Sequence, residues 1–522
     1  MVLTATLAAS AMAIVWSVRA GAMLNYGDAV AHLHIARRVL DSHSPGLTQL
    51  GSVWLPLPHL LMLPFVQIYS WWASGFAAVV PSAAAYIASC LGLWRLLRRW
   101  LAVPVASVAL AFFALNPNLL YLQTTAMTEP LFLCEMIWAA VWLVEWRASL
   151  DEANRRSTDR LTWRLALVMV AAVYTRYDGW AMVLIAWTAM GIALLRRGRL
   201  ASRIFWLASV AVIAAPVSWL VYNQLGFGDW LFFARGPYSA AAIEARTSAP
   251  GFPPHPGFHA PWVSTVFFVK AAELDAVVLQ LGMLLLLVAI AGTVYAIRNQ
   301  RRGGFLWAAL LWFPMPFYAY SISWGSVPIF MPIWWPHSWY NLRYGMELLP
   351  AFAVGVGFAS AALLAAARRW LPTVEPNLPG VLFVLVLANA AFMIYQRPQV
   401  YIEGTKNLYA RRGYVLAIPR ALTDLLASHP GATVLMNTSI LPEIVTNVGI
   451  PLRQTINESD LYLWGHALAA PARSAQIVFA FDGDEVDKAV KAHPEGLEAA
   501  YRFHSSTEPP ATLYLSSLYA VR

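Results

Sequence analysis

Eleven apolar stretches, each roughly 16–24 residues long, recur along this chain, and each is about as long as a helix needs to be to cross a ~30 Å hydrocarbon core. They fall near 2–20, 74–96, 102–118, 130–146, 161–176, 178–196, 203–222, 276–297, 304–320, 346–367 and 379–396. In hydrocarbon every backbone N–H and C=O must find its partner inside the protein, so runs of this kind are predicted to be helices. Only 12% of residues are charged, against roughly 25% in a soluble domain. Many of the 24 tryptophans stand near the ends of the stretches, as in the aromatic belts of membrane proteins. The net charge of +9 does not point to nucleic acid, because the basic residues sit in short loops between apolar runs.

Those loops set the expected topology. One side carries Arg95, Arg98 and Arg99; Arg147, Arg155, Arg156, Arg160 and Arg164; Arg196, Arg197, Arg199 and Arg203; Arg298, Arg301 and Arg302; and Arg368 and Arg369. The loops opposite are longer and hold fewer, among them Arg19, Arg37, Arg38, Arg176, Arg235 and Arg343. The first side is expected to be cytoplasmic. That puts the N-terminus inside and the C-terminus outside the plasma (inner) membrane. Ala11-Met12-Ala13 resembles a signal cleavage box, but no basic segment precedes it, so residues 1–20 are expected to remain as a span. The fifth and sixth spans are parted only by Arg176-Tyr177-Asp178.

The first outer loop, 21–73, holds a predicted helix at 28–40 and a Ser44-Pro45-Gly46 turn. The apolar run that follows is broken by Pro56, Pro58 and Pro64 and suits an interfacial helix better than a straight span. From about Arg397 long apolar runs stop. Short ones at 432–436 and 476–481 alternate with helical patterns at 414–428 and 484–492, which predicts a small α/β domain. The expected fold class is therefore a polytopic α-helical membrane protein of about eleven spans (1–396) with a small C-terminal extracytoplasmic α/β domain (397–522). Cys90 and Cys134 lie in apolar runs and read as packing residues.

Ionisable groups at membrane spans are costly and call for a reason. On the outer side they include Asp28, His32, His34, His59, Glu129, Arg176, Asp178, Asp229, Arg235, Arg343 and Glu347. Asp28 follows the first span, and His32 stands on the same helical face. Asp28 reads as a general base or metal ligand, or as the N-cap of the helix that follows. Glu129 begins the fourth span; it is either a first-turn carboxylate with Thr128 as cap, or a second functional carboxylate. Arg176 and Asp178 read as a structural ion pair or as part of a substrate pocket. Arg343 lies in His337-Ser338-Trp339-Tyr340-Asn341-Leu342-Arg343-Tyr344, where an interfacial anchor and a phosphate ligand are equally natural. A joint His32–His34 metal site is not expected, since the two lie on different faces. There is no Walker loop, dinucleotide fingerprint or serine elbow, so a donor used outside the membrane would have to be lipid-linked.

Several motifs together resemble the GT-C glycosyltransferases, which take a sugar from a polyprenyl-phosphate carrier. That class includes protein O-mannosyltransferases, aminoarabinose transferases acting on lipid A, and the catalytic subunit of oligosaccharyltransferase. The resemblance rests on Gly27-Asp28 in a long first outer loop, Thr128-Glu129-Pro130, Thr175-Arg176-Tyr177-Asp178-Gly179-Trp180, Phe227-Gly228-Asp229-Trp230 and Asn341-Leu342-Arg343-Tyr344, over roughly residues 1–400. It implies transfer of a sugar to an acceptor hydroxyl at the outer face. Asp28 and Glu129 would be the catalytic acidic positions, or metal ligands if a divalent ion takes part. Arg343 and Tyr344 would bind the donor phosphate, and His32, His59, Arg176, Asp178 and Asp229 would line the substrate pocket. Partners would be the bilayer, the lipid-linked sugar and an acceptor protein, lipid or glycan, with no nucleic acid. Asp28 is followed by Ala29-Val30, so the double Asp-x-Asp pattern is missing, and the terminal region lacks Trp-Trp-Asp. Transport or flipping of a lipid-linked sugar, and a non-catalytic membrane scaffold, are the rival readings.

Overall fold

A computed structural model describes residues 1–247, 253–299, 304–505 and 508–519; Arg301 and Arg302 of the basic loops lie outside the described residues. The chain forms two compact units. The first comprises Met1–Ala20, Ser52–Pro58 and Pro81–Glu403, and the second Gly21–Gly51, His59–Val80 and Gly404–Arg522.

The first unit is helical, and each predicted apolar stretch is a helix or a broken pair of helices. Eight helices among the described residues are long and apolar enough to cross a membrane. Three expected spans fall short of that measure for physical reasons. Val103–Ala114 is short and turns at Asn116, whose side chain accepts from the N–H groups of Asn118 and Leu119 to start the next helix. Glu129–Asp151 carries Glu129, Glu135 and Glu145, and Arg155–Thr175 opens on a run of charges. The fifth and sixth spans do part at Arg176, which is extended (φ −149°, ψ 153°) between Arg155–Thr175 and Asp178–Leu195. Gly179 makes that reversal possible, since a Cβ there would lie 2.2 Å from the Ala172 carbonyl oxygen.

Helices in lipid gain little from hydrophobic exclusion and associate through small residues and polar contacts. Gly282–Asn299 and Leu349–Trp370 meet in this way. A Cβ on Gly292 would fall 1.9 Å from the Gly355 carbonyl oxygen, and one on Gly355 would fall 2.5 Å from that of Ala289. Gly345 lies as close to Ala271 and Ala272, which holds the 3-10 helix Leu342–Leu348 against Pro261–Ala276.

The second unit contains the helix Gly27–Arg38, most of Leu57–Val66, Tyr69–Ser74, and the part of Gln399–Ser428 beyond Glu403. It ends in a five-stranded sheet: β1 Val434–Met436, β2 Thr455–Ile456, β3 Ile477–Phe481, β4 Leu497–Phe503 and β5 Ala511–Ser516, in the order β2-β1-β3-β5-β4. The pairs β1–β2 and β1–β3 are parallel, while β5 runs antiparallel to both β3 and β4. Leu435, Ile456, Val478, Val486 and Val490 form its core. The two strands expected at 432–436 and 476–481 are β1 and β3, buried throughout, as parallel strands usually are.

Overpacking a closed contact typically costs about 1–3 kcal/mol, and a backbone contact leaves little room to relax. Gly292→Val is therefore expected to lower the thermal unfolding midpoint in detergent by several degrees. Gly191→Val, facing only Phe205 Cζ at 3.9 Å, should leave it unchanged.

Candidate functional site

Charged groups from separate helices of the first unit meet in one buried network. Glu129, Asp178, Glu347 and Glu403 are buried, as is Arg343, and the Arg176 side chain is only 14% exposed. Arg343 Nε donates to Glu129 Oε1 at 3.2 Å and Nη1 to Glu403 Oε1 at 3.1 Å. The Arg343 backbone N–H also donates to Glu403 Oε2 at 3.3 Å, so one carboxylate grips both ends of the residue. Arg176 Nη1 reaches the same Glu129 Oε1 at 3.5 Å, and Arg176 Nε donates to both Asp178 oxygens at 3.0 and 3.2 Å. Arg176 Nη2 lies 2.8 Å from the Tyr318 hydroxyl and 3.2 Å from Glu347 Oε1. Tyr318 stands 2.8 Å from Glu347 Oε1 and 3.2 Å from Asp178 Oδ2, and gives its single proton to one of them.

Tyr344 lies between the two cations. Each guanidinium carbon is 5.0 Å from its ring centroid, and Tyr318 stacks beside it at 5.4 Å, then Phe268 on Tyr318 at 4.5 Å. Such geometry holds guanidinium groups through the ring quadrupole. Buried carboxyl groups outnumber guanidiniums here. Glu129 Oε2 and Glu347 Oε2 have no hydrogen-bond partner among the described residues, and neither oxygen of Asp275 has one. Asp275 ends the Pro261–Ala276 helix; burial, with Glu403 and Glu129 near, holds its carboxyl well above the usual carboxylate range.

Thr128 does not cap the fourth span as expected, because its hydroxyl accepts from Arg176 Nη1 at 3.0 Å instead. Asp229 joins none of these contacts. It caps Leu231 N–H at 2.9 Å and lies 3.8 Å from an exposed Arg235. Two guanidiniums already share Glu129 Oε1, so a divalent cation on Glu129 would have to bind through Oε2 and face both of them. Among the described residues no three His, Cys, Asp or Glu side chains are arranged to hold one.

In the second unit, Asp28 is a half-buried first-turn residue and not the N-cap, because the helix starts one residue earlier at Gly27. A carboxylate there is favoured by the helix dipole. The Gly27 N–H is met by Asn407 Oδ1 at 3.2 Å, and Asn407 in turn accepts from Arg411, which pairs with Glu443. Four residues past Asp28, buried His32 shares a hydrogen bond with buried His59, Nδ1 to Nε2 at 2.8 Å; one ring donates and the other accepts. His34 is buried against Trp72, at 5.3 Å between ring centroids, with no hydrogen-bond partner among the described residues. Its pKa falls to about 3 through burial and then the nearby Arg38.

Sequence reasoning reached Glu129, Arg176, Asp178, Arg343 and Glu347 one by one, and missed Tyr318, Glu403 and Asp275. Tyr318 reads as one more interfacial aromatic. Glu403 follows the last apolar run, where a carboxylate needs no explanation.

The apolar helices and the fold make the chain a multi-pass membrane protein, mostly helical, with a small sheet at its C-terminal end. That fold is similar to the one of ArnT from Cupriavidus metallidurans bound to undecaprenyl phosphate, with a TM-score of 0.52 and 12% identity over 99% of each chain. The same protein in the apo state gives a TM-score of 0.49 at 12% identity, over 95% of this chain and 94% of that one. No protein-family model and no curated protein sequence matches.

Breaking a buried pair from one side costs about 3–5 kcal/mol, because the remaining charge has no water to turn to. Glu129→Gln should cost that much in denaturant unfolding. Combined with Arg343→Gln it should fall short of the sum by more than about 1 kcal/mol, as expected for contacting partners.

A second prediction concerns acid. The unfolded chain binds a proton at His34 near pH 6.5, the folded chain only near 3. Between those values the unfolded state holds more protons, so stability falls as pH drops, by about 1.4 kcal/mol per pH unit. In His34→Phe the acid slope of the unfolding midpoint should be shallower by that amount; an unaltered slope would exclude His34 as its source.

Proposed function

We propose that the protein transfers a sugar from a polyprenyl-phosphate donor to an acceptor hydroxyl at the outer face of the membrane. The observation that carries this reading is the fold shared over 99% of both chains with ArnT, a GT-C aminoarabinose transferase whose structure holds undecaprenyl phosphate. The GT-C-like motifs support it independently, since four of the five contribute residues to the two clusters described above. The excess of basic residues in the opposite loops supports an orientation in the inner membrane with the N-terminus inside and the C-terminal sheet outside.

In this reading Asp28 takes the proton of the acceptor hydroxyl. The acceptor oxygen bonds to the anomeric carbon from the face opposite the leaving group, giving inversion. The bond from that carbon to the phosphate oxygen breaks, and its electron pair leaves on the lipid phosphate. Arg343, with Tyr344 beside it, is the cationic element assigned to that developing charge, and charge stabilisation of this kind is often the largest catalytic contribution. Glu129 contacts both arginines, so its role here is to hold their separation and orientation. Arg176 and Asp178 belong to the same support. His32 and His59, which share one proton between their rings, are assigned to the acceptor side with Asp28. No step passes through a metal ion.

The test is transfer of label from a panel of radiolabelled polyprenyl-phosphate sugars by the purified protein in membrane lipid. Wild type should transfer label, and Asp28→Asn should be slower by about a hundred- to ten-thousand-fold. Equal rates would remove Asp28 as the base. Movement of intact donor across the bilayer without transfer would establish the transport reading instead.

A further inference from the structure

We propose that Arg411 is a positioning residue for Asp28: through Asn407 it fixes the start of the Gly27–Arg38 helix, so that the C-terminal domain sets where the carboxylate stands. The proposal rests on the reading of Asp28 as the base and adds what holds that base in place.

A helix leaves its first N–H groups without partners of its own. Tyr26, at the N-cap, offers no side chain to them. The partner comes from the helix Gln399–Ser428, where Asn407 Oδ1 accepts from the Gly27 N–H at 3.2 Å. Two residues earlier, Asn25 Nδ2 donates to Thr405 Oγ1 at 3.4 Å, so this stretch of chain is held at two points. Asn407 is itself braced. Arg411 Nη2 donates to the same Oδ1 at 2.7 Å, and Arg411 Nε to the Asn407 carbonyl oxygen at 3.0 Å. Its Nη1 pairs with Glu443, which opens the helix Glu443–Val448. Arg411 and Glu443 are both buried.

Two features set this arrangement apart from ordinary packing. A cation is disfavoured at the start of a helix, where the dipole already places positive charge. Arg411 lies there all the same, directly on the backbone: a Cβ on Gly27 would fall 2.8 Å from its Nη1 and 3.3 Å from its Cζ. Gly27 is thus the residue that admits the guanidinium. Gly27 is also only half-buried, so water could replace Asn407 at its N–H for little loss of stability. What Asn407 supplies, and water would not, is a fixed direction. Asp28 is the next residue, and a general base must come within about 3 Å of the group whose proton it takes. A misplacement of about 1 Å can cost on the order of a hundredfold in rate.

The test is label transfer by the full-length protein in membrane lipid, from the polyprenyl-phosphate sugar of the panel that wild type uses. Arg411→Gln should lower kcat by about ten- to a hundredfold while the donor KM stays within about twofold. Asn407→Leu should do the same, and Asn407→Asp, which keeps an acceptor oxygen for both donors, should recover most of the loss. Arg412→Gln, at the exposed neighbour, should match wild type. Added to Asp28→Asn, Arg411→Gln should cost nothing further, because the group it positions is gone. A further loss there, or Arg411→Gln as fast as wild type, would overturn the positioning role and leave Asp28 as the base. Asp28→Asn as fast as wild type would instead sink the base reading, and the positioning role with it. Hydrogen exchange reads the clamp without turnover. Arg411→Gln should speed exchange in the peptide covering 25–30 by about tenfold, with peptides from β3 unchanged. Unchanged exchange at 25–30 would overturn the proposal whatever the rates. Exchange raised equally in β3 would make Arg411 a contact of the fold alone and overturn it as well.

Discussion

A single carboxylate oxygen, Glu129 Oε1, receives both buried guanidiniums of the first unit. Much of that unit is organised around this sharing. Arg343 cannot leave Glu129 without also releasing Glu403, and Arg176 cannot leave without releasing Asp178, Tyr318 and Glu347. In a low-dielectric interior an ion that loses its partner has no solvent to replace it, so these segments assemble together or not at all. The network joins the start of Glu129–Asp151, the break at Arg176, the middle of Pro314–Trp324, the Leu342–Leu348 turn and the first residues of Gln399–Ser428. It thus ties chain positions that no local preference would bring together.

The helices around it are placed by contacts of a different kind. Between Gly292 and Gly355 the backbones touch, and the Val2–Ala20 helix is held by two serine hydroxyls. Apolar area decides little between membrane helices, because lipid offers an equally apolar alternative. Close approach and satisfied hydroxyls choose which faces meet, and the faces left over meet lipid.

The likeness to ArnT spans nearly the whole of both chains at 12% identity. Sequence divergence of that order leaves a fold intact when the positions that matter are few: glycines at crossings, carboxylates opposite arginines, hydroxyls opposite amides. Apolar residues between them exchange freely as long as volume and patterning are kept. The second unit follows soluble rules instead. Its parallel strands β1 and β3 are continuous apolar runs, and the helix Glu485–Ala492 packs on them through Val486 and Val490.

What could be read from the chain alone follows from the length scale of the bilayer and from local periodicity. Runs of apolar residues had to be helices, and the runs at 432–436 and 476–481 had to be strands, because each pattern satisfies its backbone in one way only. Arg176-Tyr177-Asp178 was legible as a break because charge interrupts hydropathy there. Asp28 read as an N-cap from the chain alone, but its helix begins at Gly27, which puts Asp28 in the first turn, and the Gly27 N–H is met by Asn407, nearly four hundred residues away in sequence. The pairing of His32 with His59, the grip of Glu403 on Arg343 and the burial of Asp275 left no trace in sequence, since each depends on which distant segment arrives beside it. Composition and period determine the elements; only the packed tertiary structure determines which charges face one another, because partner choice in a low-dielectric interior is made across space and not along the chain.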